Sequence, residues 1–277
     1  GSTDNTAKIL HGFQQKYPEL FTLNFNEKSL GITKNFEKAI NLCTNEIVFL
    51  ADQDDIWFPE KTRKIVSFFN KNPNEDAVFH NLQLYKNGIP QKITQWDSIS
   101  FEQEFRKKEN LLLHSILFDN VVTGAAFAFR KRKKYHFKNP EILHDEILAL
   151  EFSTTQKLGI LDECLGYYRL HDKQQVGTNL EKNDYQKTIS QWQENYYHNK
   201  NLPEKLKIMA RGIEKLKKIS ADFPEANHKI FPVLKEKLLA TRNQYLQTLS
   251  FAERKKTLLS WYKHQKYFVT FSEVLIN

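Results

Sequence analysis

Cysteine is scarce in this chain: among 277 residues only Cys43 and Cys164 occur. Two thiols without C-x-x-C spacing or clustered Cys and His exclude a disulfide framework and a structural zinc site, and a reducing compartment fits them best. Long apolar runs are lacking as well. No stretch approaches the roughly 20 residues that span a bilayer, and no charged-then-apolar leader opens the chain. An initiator methionine is also absent, and the sequence opens Gly1-Ser2-Thr3-Asp4. It therefore reads as a piece of a longer chain, with Gly1-Ser2 either native or a cloning scar. There is no internal repeat and no low-complexity tract.

What is present suits a globular domain with a sizeable core: 40% hydrophobic residues, 27% charged, 21 Phe and 11 Tyr. The net charge of +8 is placed unevenly. Residues 181–277 carry 18 Lys+Arg against 10 Asp+Glu, and residues 1–180 balance at 23 each. A basic segment of this kind either attracts anionic surfaces or is a set of solvated helix faces.

The spacing predicts a helix over about 4–16, opened by the capping candidates Ser2 to Asn5, then a strand over Phe21–Asn26 and a helix over Phe36–Leu42. The apolar run from Glu46 to Ala51 predicts a buried strand that ends at an acidic cluster. Further expected elements are a helix near 59–70, a strand over Ala77–Tyr85, a turn at Asn87-Gly88, a helical stretch near 101–118, an apolar run over Gly124–Phe129, a helix near 145–157 and a strand near 160–170. This is an α/β rhythm. From about 184 onward only helical patterns remain, with Pro203, Pro224 and Pro232 as expected boundaries. The resulting division is an α/β domain over 1–180 and a basic helical region over 181–277.

The strongest chemical signal is Asp52-Gln53-Asp54-Asp55 directly after the predicted buried strand. Ligands of parallel sheets sit outside the carboxyl ends of strands, and crowded carboxylates invite a hard divalent cation such as Mg2+ or Mn2+. The alternative is an acidic turn that caps the helix near Pro59. His144-Asp145-Glu146 opens another predicted helix, which Asp145 can cap. Arg169 and His171 alternate at a strand end and so share a face. Asn35 and Gly31 read most simply as a helix start and a tight turn.

These segments together resemble family 2 glycosyltransferases of the GT-A fold, particularly the bacterial rhamnosyltransferase-like branch. Gly1 to Thr6 resembles the tail of D-D-G-S-x-D, and Asn26 to Phe36 resembles the N-x-G-x-x-x-N loop. Asp52 to Lys61 resembles D-Q-D-D-x-W-x-P-x-K. Asn120 to Gly124 resembles the acceptor-side strand, His144-Asp145 the H-D pair, and Tyr168 to His171 with Gly177 the closing Y-R-x-H segment.

The resemblance covers about residues 1–180. It implies a GT-A, Rossmann-like, mixed and mostly parallel sheet flanked by helices, lacking its first strands and followed by the helical region. It further implies inverting transfer from a dTDP- or UDP-sugar, of rhamnose or another sugar, to a glycan or lipid-linked glycan acceptor in surface polysaccharide synthesis. Asp145 is then the general base, with Glu146 as its competitor. Asp52, Asp54, Asp55, Arg169 and Asn35 bind the donor, while Asp54 and His171 hold Mn2+ or Mg2+. The implied setting is cytoplasmic, peripheral at the inner face of the plasma membrane through the basic region, with no nucleic acid partner. Two readings compete with this one: a non-catalytic basic module that binds membrane or polyanion, and a metal-dependent nucleotidyltransferase or phosphohydrolase.

Overall fold

A computed structural model describes residues 2–101, 103, 106–118, 120–171, 193–194, 201–264 and 266–268. The expected boundary at about 180, and Gly177, lie outside these residues. The chain forms two compact units, one of residues 1–44 with 133–144, the other of 45–132 with 145–277.

In the first unit, α1 (Thr6–Lys16) follows Asp4, whose carboxylate accepts from the Thr6 amide at 3.0 Å. Helix α2 (Ile32–Leu42) follows Gly31, whose φ of +75° suits a residue without Cβ. The segment 133–144 is laid along α2 by its polar side chains. Asn41 exchanges two hydrogen bonds with the Tyr135 backbone, each 2.8 Å, and the Thr33 hydroxyl donates to the Ile142 carbonyl at 2.9 Å. Phe21–Asn26, expected as a strand, is irregular. Its alternation is correct for a strand, but no described segment offers it a ladder partner.

The second unit is built on one mixed sheet. Its strands are β1 (Ile47–Phe49), β2 (Ile56–Trp57), β3 (Ala77–Lys86), β4 (Ile89–Thr94), β5 (Phe127–Arg130) and β6 (Leu158–Leu170), in the order β1-β5-β3-β6-β2 with β4 on β3. The mixed α/β character is as expected. Parallel pairing is rarer than expected: among the described strands only β3 and β6 pair parallel, because β5 enters between β1 and β3 in the opposite direction. Strands β1, β3 and β6 nevertheless run the same way, so their carboxyl ends share one edge. Ile65, Phe69, Val78, Ala128 and Leu165 form one core cluster; Leu82, Leu84, Ala125, Ala126, Tyr168 and Leu170 form another.

Helices α3 (Lys61–Lys71), α4 (Gln95–Ser98), α5 (Lys108–Leu117) and α6 (His144–Thr154) are followed by α7 (Leu202–Ile219), α8 (Pro224–Gln247) and α9 (Phe251–Lys263). Pro203 and Pro224 stand in first turns, as expected. Pro232 does not end a helix but lies inside α8. Pro232 and His228 are both exposed, so water can satisfy the His228 carbonyl that the proline leaves free. Helix α7 buries Leu206, Met209, Ile213 and Leu216 at helical spacing, and its Gly212 fits against Leu117, where a Cβ would come within 2.9 Å. Among the described residues no helix is long and apolar enough to cross a membrane.

Candidate active site

The loop after β1 carries the acidic cluster from one side of the sheet to the other. The Leu50 amide still bonds the Phe127 carbonyl of β5, yet Ile56 and Trp57 already pair with Tyr167 and Gly166 of β6. Asp52 to Asp55 are therefore strung across the shared edge. Two of them are fastened to the end of β6: Asp55 accepts from the Arg169 amide at 3.0 Å, and Asp54 meets His171 Nε2 at 2.8 Å. Thus Arg169 contributes a backbone donor to the loop, and Asp54 and His171, separated widely in sequence, are paired.

Burial raises the proton affinity of Asp52 and Asp55, and the charges crowded around them add to it. Asp55 is pushed up to about 7 chiefly by burial, with the Arg169 amide acting against it and Asp52 and Asp54 adding to it. Asp52 is raised by burial and then by Asp54. One oxygen of Asp55 is buried without a hydrogen-bond partner among the described residues. Crowded carboxylates of this kind attract cations.

Asp145 opens α6 from another direction. Its carboxylate accepts from the Gly124 amide at 3.1 Å, within the 3-10 turn Gly124–Ala126, and from the Glu146 amide at 2.8 Å. By area it is neither buried nor exposed, so it keeps an opening to the surface. Desolvation by the atoms crowding it pushes it up to about 7, against the pull of those two amides; the charges of Glu146 and Asp52 add to the rise. The Tyr168 hydroxyl is held protonated by burial first, and then by the charges of Asp55, Asp52, Asp54 and Asp145 together. The acidic loop and Asp145 thus both act electrostatically on one tyrosine.

Glu146, the competing base, is engaged elsewhere: its carboxylate pairs with Lys215 of α7 at 2.7 Å. We expect Glu146→Gln to change kcat by less than about twofold and stability by no more than about 1 kcal/mol, the range of a partly exposed ion pair. A parallel urea titration and rate measurement check both values.

Asn35 lies in the first unit, where its side chain accepts from Asn26 at 2.7 Å. In the same unit His144 stacks on Phe36, with ring centres 3.6 Å apart and planes 6° apart. Both its ring nitrogens lack hydrogen-bond partners among the described residues, and burial drives it down to about 4, so it is neutral.

Sequence reasoning gave no role to Lys61 or Tyr168. A lysine at the start of a helix is electrostatically misplaced, and that oddity, together with the place of Lys61 at the end of the D-Q-D-D-x-W-x-P-x-K segment, was a signal for it.

Residues 1–135 match the family model "Glycosyl transferase family 2". A dTDP-rhamnosyl transferase, RfbG, of Shigella flexneri is 27% identical over 194 residues, covering 65% of this chain and 63% of that protein. An uncharacterised glycosyltransferase of Nostoc sp. is 26% identical over 182 residues, covering 62% and 53%. An uncharacterised protein of Mycobacterium tuberculosis is 23% identical over 173 residues, covering 61% and 48%. The chain spans about half the length of the curated relatives it matches. A crystal structure of S. aureus TarS, residues 1–349, aligns with 91% of this chain and 81% of its own at 16% identity and a TM-score of 0.43. Residues 1–135, just under half of the chain, are thus similar to glycosyl transferase family 2.

Proposed function

We propose that this chain transfers a sugar, with inversion, from a nucleoside-diphosphate donor to a hydroxyl of a glycan acceptor. The observation that carries the reading is that two separately positioned acidic groups lie on either side of Tyr168: Asp55 accepts from the adjacent Arg169 amide, and Asp145 accepts from Gly124, next to Ala125 in the core cluster of Tyr168. One set suits a donor diphosphate and the other suits an acceptor proton. The match of residues 1–135 to the family model supports the donor and acceptor classes, and the similarity to a dTDP-rhamnosyl transferase favours a dTDP-activated deoxyhexose.

In this reading Asp145 takes the proton from the attacking hydroxyl, and that oxygen displaces the diphosphate from the opposite face of the anomeric carbon. A base near the operating pH is efficient in such a step. Its two amide donors fix the direction of the carboxylate. Asp52 and Asp55 flank the donor phosphates, and Tyr168 stays protonated as a hydrogen-bond donor beside them.

Asp54 and His171 are the residues that would hold Mn2+ or Mg2+. Among the described residues no three His, Cys, Asp or Glu side chains group into a complete metal set. Asp54 nonetheless supplies the single carboxylate with which Mg2+ can be anchored, its shell completed by substrate phosphates and water, and His171 stands 2.8 Å from that carboxylate. When bound, the cation supplies charge neutralisation at the departing diphosphate. The basic C-terminal helices suit an acceptor carried at an anionic membrane surface.

Calorimetric titration with dTDP and UDP, with and without Mn2+, tests the donor half. We expect Mn2+-dependent binding that Asp54→Ala weakens at least 10- to 100-fold, the loss usual even for residues that only support a metal ligand. Equal binding by wild type and Asp54→Ala would contradict the assignment.

A further inference from the structure

Behind the acidic loop lies a buried cation. Lys61, the first residue of α3, is 1% exposed, and its ammonium donates to the Ala125 carbonyl at 2.7 Å. It also stands 4.0 Å from the centre of the Trp57 ring. Asp55 and Asp52 both attract it, and it in turn disfavours protonation of the buried His80. Burying an ammonium is costly, and replacing a buried ion pair with apolar side chains of similar volume is often neutral or stabilising. Stability alone therefore gives no reason for a lysine here.

Its partners supply a reason. Ala125 belongs to the same short turn as Gly124, and the Gly124 amide is the one that donates to Asp145. A single ammonium thus touches the turn that aims Asp145 and the charges of the loop that carries Asp52 and Asp55. We propose that Lys61 is a positioning residue that fixes Asp145 relative to the acidic loop. The inference rests on the reading of Asp145 as the base.

The route runs from ammonium to carbonyl, through one peptide of the turn, to the amide that orients the carboxylate. Lys61→Met keeps the length of the side chain and removes its charge and its hydrogen bond. The Ala125 carbonyl then loses its buried donor, the turn loosens, and Asp145 loses direction. If Lys61 acts through Asp145, its removal costs nothing further once Asp145 is gone. A merely structural lysine would cost the same in either background.

Two readouts test this. Amide hydrogen exchange of Gly124 is expected to accelerate about tenfold or more in Lys61→Met, a local opening easier by about 1.4 kcal/mol, while amides of β3 and β6 hold. In a cycle with Asp145→Asn, Lys61→Met is expected to lower kcat at least about tenfold in the wild-type background and less than about twofold in the Asp145→Asn background. Unchanged Gly124 exchange, or an equal rate cost in both backgrounds, overturns the proposal. If Lys61→Met fails to fold, Lys61→Met with Asp55→Asn removes the buried charges together and is compared with Asp55→Asn alone by the same criteria. A wild-type protein that transfers no sugar would sink the proposed function, and Gly124 exchange would still decide the role of Lys61.

Discussion

Asp145→Asn is expected to lower kcat by about 100- to 10,000-fold, the usual worth of a positioned general base, and to leave nucleotide affinity unchanged. The amide of Asn cannot take the acceptor proton, but it fills the same volume beneath the Gly124 turn. With Asp145 as the base, the wild-type rate is expected to rise with pH along a limb centred at about 7, because only the deprotonated carboxylate serves. Stability moves the other way. Burial raises this carboxyl above the unfolded value of about 3.9, so the folded state binds more protons than the unfolded state between those two values. Stability is therefore lost as pH climbs through that window, and Asn removes the loss. Thermal melts at pH 5 and pH 8 should show Asp145→Asn gaining on the wild type at the higher pH. A variant that is slower yet more stable is the signature of a carboxylate kept for chemistry rather than for packing. Equal rates for the two proteins would remove Asp145 from the mechanism.

Gly166→Ala has the largest expected effect on the scaffold of the site. Gly166 pairs with Trp57, and a Cβ there would lie 2.8 Å from the Ile56 carbonyl oxygen and 3.3 Å from Leu82. The nearer neighbour is backbone, so β2 has to move. Overpacking of this kind costs about 1–3 kcal/mol, read as a lower urea midpoint. Because β2 begins immediately after Asp55, the displacement also disturbs the bond from the Arg169 amide. Nucleotide affinity is expected to fall together with stability. A stable Gly166→Ala with undiminished binding would show that the β2–β6 pairing does not set the acidic loop.

The acidic loop was legible because Ile47 to Ala51 is a continuous apolar run that stops at carboxylates, which marks a buried strand reaching an edge. The start of α6 was legible for a similar reason, since His144-Asp145 precedes the apolar residues Ile147, Leu148 and Leu150. Phe21–Asn26 misled because alternation marks a strand only when another strand lies alongside, and that information is not local. The two-residue strand β2 was invisible: it exists through its pairing with Tyr167 and Gly166, more than a hundred positions away. Lys61 was hidden for the same physical reason. A lysine is ordinarily solvent-exposed, and only the assembled turn at Ala125 and the ring of Trp57 make its burial tolerable. Choosing between Asp145 and Glu146 also required the fold, because the Lys215 partner of Glu146 arrives on a helix that the sequence shows only as basic and amphipathic.

Sugar transfer measured directly tests the central claim. The protein is incubated with dTDP- and UDP-sugars and an acceptor glycan in the presence of Mn2+, the released nucleoside diphosphate is quantified, and the anomeric configuration of the product is read by NMR. The account predicts release of a nucleoside diphosphate that is lost in both Asp54→Ala and Asp145→Asn, with an inverted product. A product of retained configuration, or release that survives both substitutions, would contradict it.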